Sequence, residues 1–123
     1  MEDKKLQRNI LQYLEETQKR LPDKIAYGDE TSSITFSRVY DEARAIGSFL
    51  ADKGFYKEPI VVFMKKQPST LVAFFGAIYG GCFYVPLDEE MPSFRIELIF
   101  EKLKPRAVIC DESTRELLKG FTF

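Results

Sequence analysis

Leu71-Val-Ala-Phe-Phe-Gly-Ala-Ile-Tyr-Gly80-Gly-Cys-Phe-Tyr-Val-Pro-Leu-Asp-Glu-Glu90-Met-Pro-Ser-Phe-Arg-Ile-Glu-Leu-Ile-Phe100 is the stretch on which the reading of this chain turns. Its first nine residues are apolar on nearly every side, which predicts a helix buried between layers. Gly80 and Gly81 then permit a close approach and a stop. Tyr84-Val85 reads as a short extended piece, and Pro86, which lacks a backbone donor, confines it to a sheet edge or a turn. Pro92 or Ser93 opens a further helix with Ile96, Ile99 and Leu103 inward, ending before Pro105. No side chain in the stretch is a nucleophile or metal ligand by its setting.

Outward from this stretch the pattern is strand, helix, helix, strand. Ile60-Val61-Val62-Phe63-Met64 is apolar at every position, as in a strand covered on both faces of a parallel sheet. Pro68 and Ser69 open the buried helix that follows. Ala107-Val108-Ile109-Cys110 predicts a second wholly apolar strand, and Ser113 with Glu116 a capping box for a last short helix closed by Gly120. Phe121-Thr122-Phe123 reads as the beginning of another strand. On the other side, Asp3 to Leu21 carries one apolar stripe at Leu6, Ile10, Leu14 and Leu21, stopped by Pro22. Ile25-Ala26-Tyr27 and Ile34-Thr35-Phe36 flank turn formers and predict a hairpin. Ser37 is placed as the cap of a helix that runs to about Lys53 and ends at Gly54, with Val39, Ala43, Ile46 and Leu50 buried.

Two parts of this pattern resemble the adenylate-forming ligases, the superfamily of acyl-CoA synthetases, luciferases and nonribosomal peptide adenylation domains. The family pattern Leu-Lys-Ala-Gly-x-Ala-Tyr-Val-Pro-Leu-Asp, then Pro-x-x-Arg, stands here as Ile78-Tyr79-Gly80-Gly81-Cys82-Phe83-Tyr84-Val85-Pro86-Leu87-Asp88, then Pro92-Ser93-Phe94-Arg95. Tyr79 replaces the usual lysine and Phe83 the usual small residue. Ile34-Thr35-Phe36-Ser37-Arg38-Val39 is similar to the family's first core motif, with Arg38 where glutamate is usual. The resemblance implies an α/β fold: a layered sheet of mainly parallel strands flanked by helices, with an N-terminal helix and a small hairpin, as the first subdomain of a larger enzyme. Residues 1–123 then form an incomplete N-terminal fragment of an adenylation domain.

The resemblance also implies a reaction. A carboxylate joins ATP to give an acyl-adenylate and pyrophosphate, and the acyl group then passes to a thiol of coenzyme A or a carrier protein's phosphopantetheine. Such chemistry needs a phosphate-cradling loop and Mg²⁺ to stabilise the triphosphate. The Ser-Gly-Thr-Thr-Gly type of loop, the adenine-stacking motif, the ribose-binding aspartate and the C-terminal lysine are not found in these residues. ATP and Mg²⁺ are therefore expected of a full-length parent and no cofactor of this segment. The Tyr-Val-Pro-Leu-Asp form leans toward amino-acid-activating, carrier-loading relatives, including the D-alanine–carrier protein ligases. The expected partners are the rest of the adenylation domain, a carrier protein or coenzyme A, and a second copy through surfaces left uncovered.

No catalytic, cofactor-binding or metal residue is carried over. Asp88, Glu89 and Glu90 are consecutive, so their side chains diverge, and solvated loop charges are the expected reading. Lys65-Lys66, at the end of a strand where α/β ligand sites cluster, invites an anion contact but reads as a solvated turn. Arg95 is expected to pair with a nearby carboxylate and fix the start of its helix. Thr31-Ser32-Ser33 lacks the glycines and lysine of a phosphate loop and reads as a loop tip.

Composition narrows the function classes. The chain has 123 residues, 45% apolar and 30% charged, enough for one core and ordinary for a globular protein. A net charge of −1 from 18 basic and 19 acidic residues gives no pull toward nucleic acid or anionic membrane. With no histidine the commonest general base is missing. Cys82 and Cys110 sit in apolar runs and read as buried free thiols, fitting a reducing cytoplasm. No secretory leader pattern or membrane-length apolar run is present. A non-enzymatic interaction module on the same scaffold, or a complete small α/β protein, are the alternative readings.

Overall fold

The computed structural model describes residues 10–121. The first helix, α1, covers Ile10–Arg20 with Leu14 buried; the part of it expected over residues 3–9, Leu6 included, lies outside the described residues. A hairpin follows, β1 (Ile25–Gly28) antiparallel to β2 (Ser33–Thr35). Its tip is an Asp29-centred turn in which Oδ1 accepts the Thr31 and Ser32 amides at 2.9 and 2.8 Å. Those bonds, the Thr31 amide first, hold the Asp29 carboxyl below its ordinary range.

Helix α2 (Phe36–Asp52) begins one residue beyond β2. The cap is Thr35 rather than Ser37: Thr35 is still extended, at φ −84° and ψ 162°, and its hydroxyl accepts the Arg38 amide at 3.3 Å. Ser37 already lies inside the first turn. Helix α2 ends as the sequence implies, with Gly54 at φ +78°.

The remaining elements alternate: β3 (Pro59–Phe63), α3 (Pro68–Tyr79), β4 (Phe83–Leu87), α4 (Ser93–Leu103), β5 (Ala107–Cys110) and α5 (Glu112–Leu118). The three strands form a parallel sheet in the order β4-β3-β5. Because side chains alternate along a strand, β3 feeds two cores. Val61 and Phe63 pack with Leu87, Ile96 and Phe100 under α4. Ile60 packs with Leu50, Ala77 and Cys82 under α2 and α3. A third cluster, Leu14, Ile34, Val39 and Val72, ties α1 and the hairpin to α2 and α3.

The chain thus steps from β3 to β4 with its helix on one face, then back past β3 to β5 with its helix on the other, as right-handed crossovers require. Cys82 and Cys110 are both free thiols; Cys82 is buried, whereas Cys110, in an edge strand, is only half-buried. Phe121 packs edge-to-face on Phe100, 5.8 Å between ring centroids, and belongs to no strand; the rest of the strand expected from it, Thr122-Phe123, lies outside the described residues.

Helices α2 and α3 approach closely because each presents a glycine. A Cβ on Gly47 would lie 2.6 Å from Tyr79 Cβ, and one on Gly76 2.6 Å from Ile46 Cγ2. At the end of α3, Gly81 adopts φ +76°, turning the chain into β4.

Candidate functional site

Loops leaving β3 and β4 diverge to opposite faces of the sheet. Between two such strands a crevice opens at their C-terminal ends, the usual ligand position in open α/β sheets. Here it is a cleft of about 510 Å³, floored by Val62, Leu87 and Phe74. The loop after β3 lines it with Lys65 and Lys66, and the loop after β4 with Asp88, Glu89 and Glu90. The topology thus brings to one cleft the two charged runs that sequence reasoning treated as separate solvated loops.

Its electrostatics are mixed. Lys65 and Lys66 are exposed, and among the described residues neither forms an ion pair with the facing carboxylates. Asp88 Oδ1 accepts the Glu90 amide at 2.9 Å, fixing the acidic loop as a turn. Among the described residues no group of three carboxylate or thiol side chains is arranged to hold a metal ion. The hydroxyl of Thr70 is committed to the Lys65 carbonyl at 2.8 Å. Such a cleft can seat a ligand bearing charges of both signs, and its lining offers no activated nucleophile.

One wall is held by a residue that sequence reasoning passed over. Asp111, directly after β5, uses its two carboxylate oxygens differently. Oδ1 accepts the Thr114 amide at 2.9 Å and the Ser113 hydroxyl at 2.7 Å, capping α5. Oδ2 accepts the Lys65 amide at 2.9 Å and Gln67 Nε2 at 3.0 Å, bracing the turn between β3 and α3. Burial opposes ionisation of this carboxyl, but the bonds from Thr114, Lys65 and Ser113 outweigh it and hold it down at about 2. The capping box is therefore Asp111 with Thr114, in place of the expected Ser113 with Glu116. Thr114, fully buried, also donates its hydroxyl to the carbonyl of Phe63 at the end of β3. The Asp-x-x-Thr spacing after a strand was the available signal.

Arg95 stands apart from the cleft. It is exposed, its amide donates to the Pro92 carbonyl at 3.0 Å, and among the described residues its guanidinium has no carboxylate partner. The expected pairing is corrected: Ile96 and Phe100 set the inner face of α4, which turns Arg95 to water. Arg38 pairs with Glu42 one turn on, at 2.8 Å, on the surface. Tyr79, at the position of the family's lysine, donates its hydroxyl to Glu15 on α1 at 3.1 Å. Burial first, then that bond, pushes the phenol well above its ordinary range.

A doubly wound α/β unit with its cleft at the strand ends is the class defined by this geometry. Comparison with known proteins makes it specific. The family described as AMP-binding enzyme matches residues 14–121. A D-alanine–D-alanyl carrier protein ligase of Staphylococcus aureus is 35% identical over 104 residues, 83% of this chain and 21% of that protein. The solved complex of VinN with 3-methylaspartate superposes with a TM-score of 0.79 at 29% identity, covering 89% of this chain and 31% of that one. A nonribosomal peptide synthetase structure, FmoA3, shares the fold at 23% identity with a TM-score of 0.78, over 84% of this chain and 11% of that one. The chain belongs to the AMP-binding enzyme family, a family of adenylate-forming ligases. It spans about a fifth of the length of the curated relatives it matches.

Proposed function

We propose that this chain is the N-terminal structural part of an ATP-dependent ligase that activates a carboxylate, in this case an amino acid, and loads it onto a thiol. In the first half-reaction a substrate carboxylate oxygen attacks the α-phosphorus of ATP, giving an acyl-adenylate and releasing pyrophosphate. In the second, a thiol of a carrier protein's phosphopantetheine or of coenzyme A attacks the acyl carbon and releases AMP. The observation that carries the reading is the family match over residues 14–121 joined to 35% identity with a carrier-loading D-alanine ligase.

The cleft's three carboxylates, Asp88, Glu89 and Glu90, are consecutive, and among the described residues no three-ligand group is arranged to hold Mg²⁺. We assign the nucleotide and its Mg²⁺ to parts of the ligase beyond this chain, and expect the 123 residues alone to catalyse neither half-reaction. What the chain supplies is a rigid sheet and the walls of a cleft. Apolar side chains left at the surface, such as Phe94 (72% exposed) and Leu98 (49%) on α4, support the reading, since the remainder of a larger domain would cover them. The described residues contain no helix long and apolar enough to cross a membrane, and we place the ligase in the cytoplasm, with its ATP.

Pyrophosphate exchange tests the proposal. The full-length protein, given ATP and a panel of amino acids, is expected to return label from pyrophosphate into ATP with one or a few of them, D-alanine being the first to try. Exchange driven only by fatty acids, or by no carboxylate at all, would contradict it.

A further inference from the structure

The turn between β3 and α3 has the geometry of an oxyanion site, and a carboxylate already sits in it. The Lys65 amide and Gln67 Nε2 converge on one oxygen, Asp111 Oδ2, at 2.9 and 3.0 Å. The side chains of Lys65 and Lys66 stand at the same turn without an ion-pair partner among the described residues. Asp111 is 46 residues away in sequence, so this contact is tertiary and not a local turn. Its other oxygen is fully engaged in capping α5, which fixes the orientation of the carboxylate plane.

We propose that this is an oxyanion-binding turn which the fold keeps filled from within, with the Asp111 carboxylate as its resident anion. Asp111 is thereby a positioning residue for the cleft: it sets the Lys65–Gln67 turn, from which Lys65 lines the cleft, and excludes other oxyanions from the backbone donor of that turn. An anionic ligand in the cleft meets the two lysine side chains but not that amide. The inference rests on the geometry of this chain and holds whether or not the ligase reading does.

Because the two oxygens have separate tasks, substitution separates them. Asp111→Ser retains a cap for α5, since serine caps about as well as aspartate, but it is too short to reach the turn. In this variant of the full chain the Lys65 amide is expected to exchange about tenfold faster, as a freed surface hydrogen bond does, with Thr114–Leu118 nearly unchanged. Millimolar inorganic phosphate is then expected to restore Lys65 protection and raise Tm in Asp111→Ser, with no such effect on the parent sequence. Gln67→Ala, which leaves α5 capped, is expected to show a smaller loss at Lys65 and no phosphate rescue while Asp111 remains. Unchanged Lys65 exchange in Asp111→Ser, or a destabilised variant that phosphate does not rescue, would overturn the proposal and leave Asp111 a cap alone.

Discussion

Asp111 joins three elements through single side-chain atoms: the end of β5, the first turn of α5 and the loop after β3. Its acid response follows from the same bonds. The folded carboxyl titrates at about 2, whereas an unfolded aspartate titrates near 4. A depressed folded value means that the stabilisation is complete above about pH 4 and is lost as pH falls toward 2. After discounting for solvent screening it amounts to on the order of 1 kcal/mol. Denaturant midpoints measured from pH 5 to 2 are expected to fall more steeply in the parent chain than in Asp111→Ser. Parallel curves would show that the bonds do not stabilise the ionised form. Pro86 is informative in another way. Phe83 donates its amide to Glu58 on the β3 side, so by ladder alternation the donor missing at Pro86 belongs to the open edge of β4. That edge is blunted by sequence.

At the scale of elements, the α2–α3 contact depends on two absent methyl groups. A Cβ at Gly76 would press on the branched part of Ile46, and one at Gly47 on Tyr79 Cβ and the α3 backbone. Neither neighbour is the free end of a flexible chain. Gly76→Ala is therefore expected to destabilise by roughly 1–3 kcal/mol, the usual cost of overpacking, despite alanine's better helix propensity. A melting temperature equal to or above that of the parent would show that the helices can part without penalty. The elements were legible in sequence because continuous apolar runs at 60–64 and 107–110, and prolines at 22, 68, 92 and 105, mark strands and helix limits by local chemistry. The caps of α2 and α5 were misplaced by two residues. Thr35, Ser37, Asp111 and Ser113 are all chemically able to cap, and only backbone geometry decides which one does. The cleft was not legible, since Lys65-Lys66 and Asp88-Glu89-Glu90 come together only through strand order, and that is a long-range property.

The molecule as a whole has a scaffold that is well specified and chemistry that is sparse. Two layers of helices cover a three-stranded sheet, and the cleft at its strand ends has charged walls. The family stretch from Leu71 to Phe100 shapes this cleft through Phe74, Leu87 and the Asp88–Glu90 turn. It marks the family through packing, and its part of the cleft offers no activated group. The central claim is that nucleotide chemistry belongs to the rest of a ligase and not to these residues. Isothermal titration of ATP with Mg²⁺ into the 123-residue chain, beside the full-length protein, tests it most directly. The expected result is saturable heat for the full-length protein and none for the chain alone. Saturable binding by the chain alone would contradict the account and place a nucleotide site within these residues.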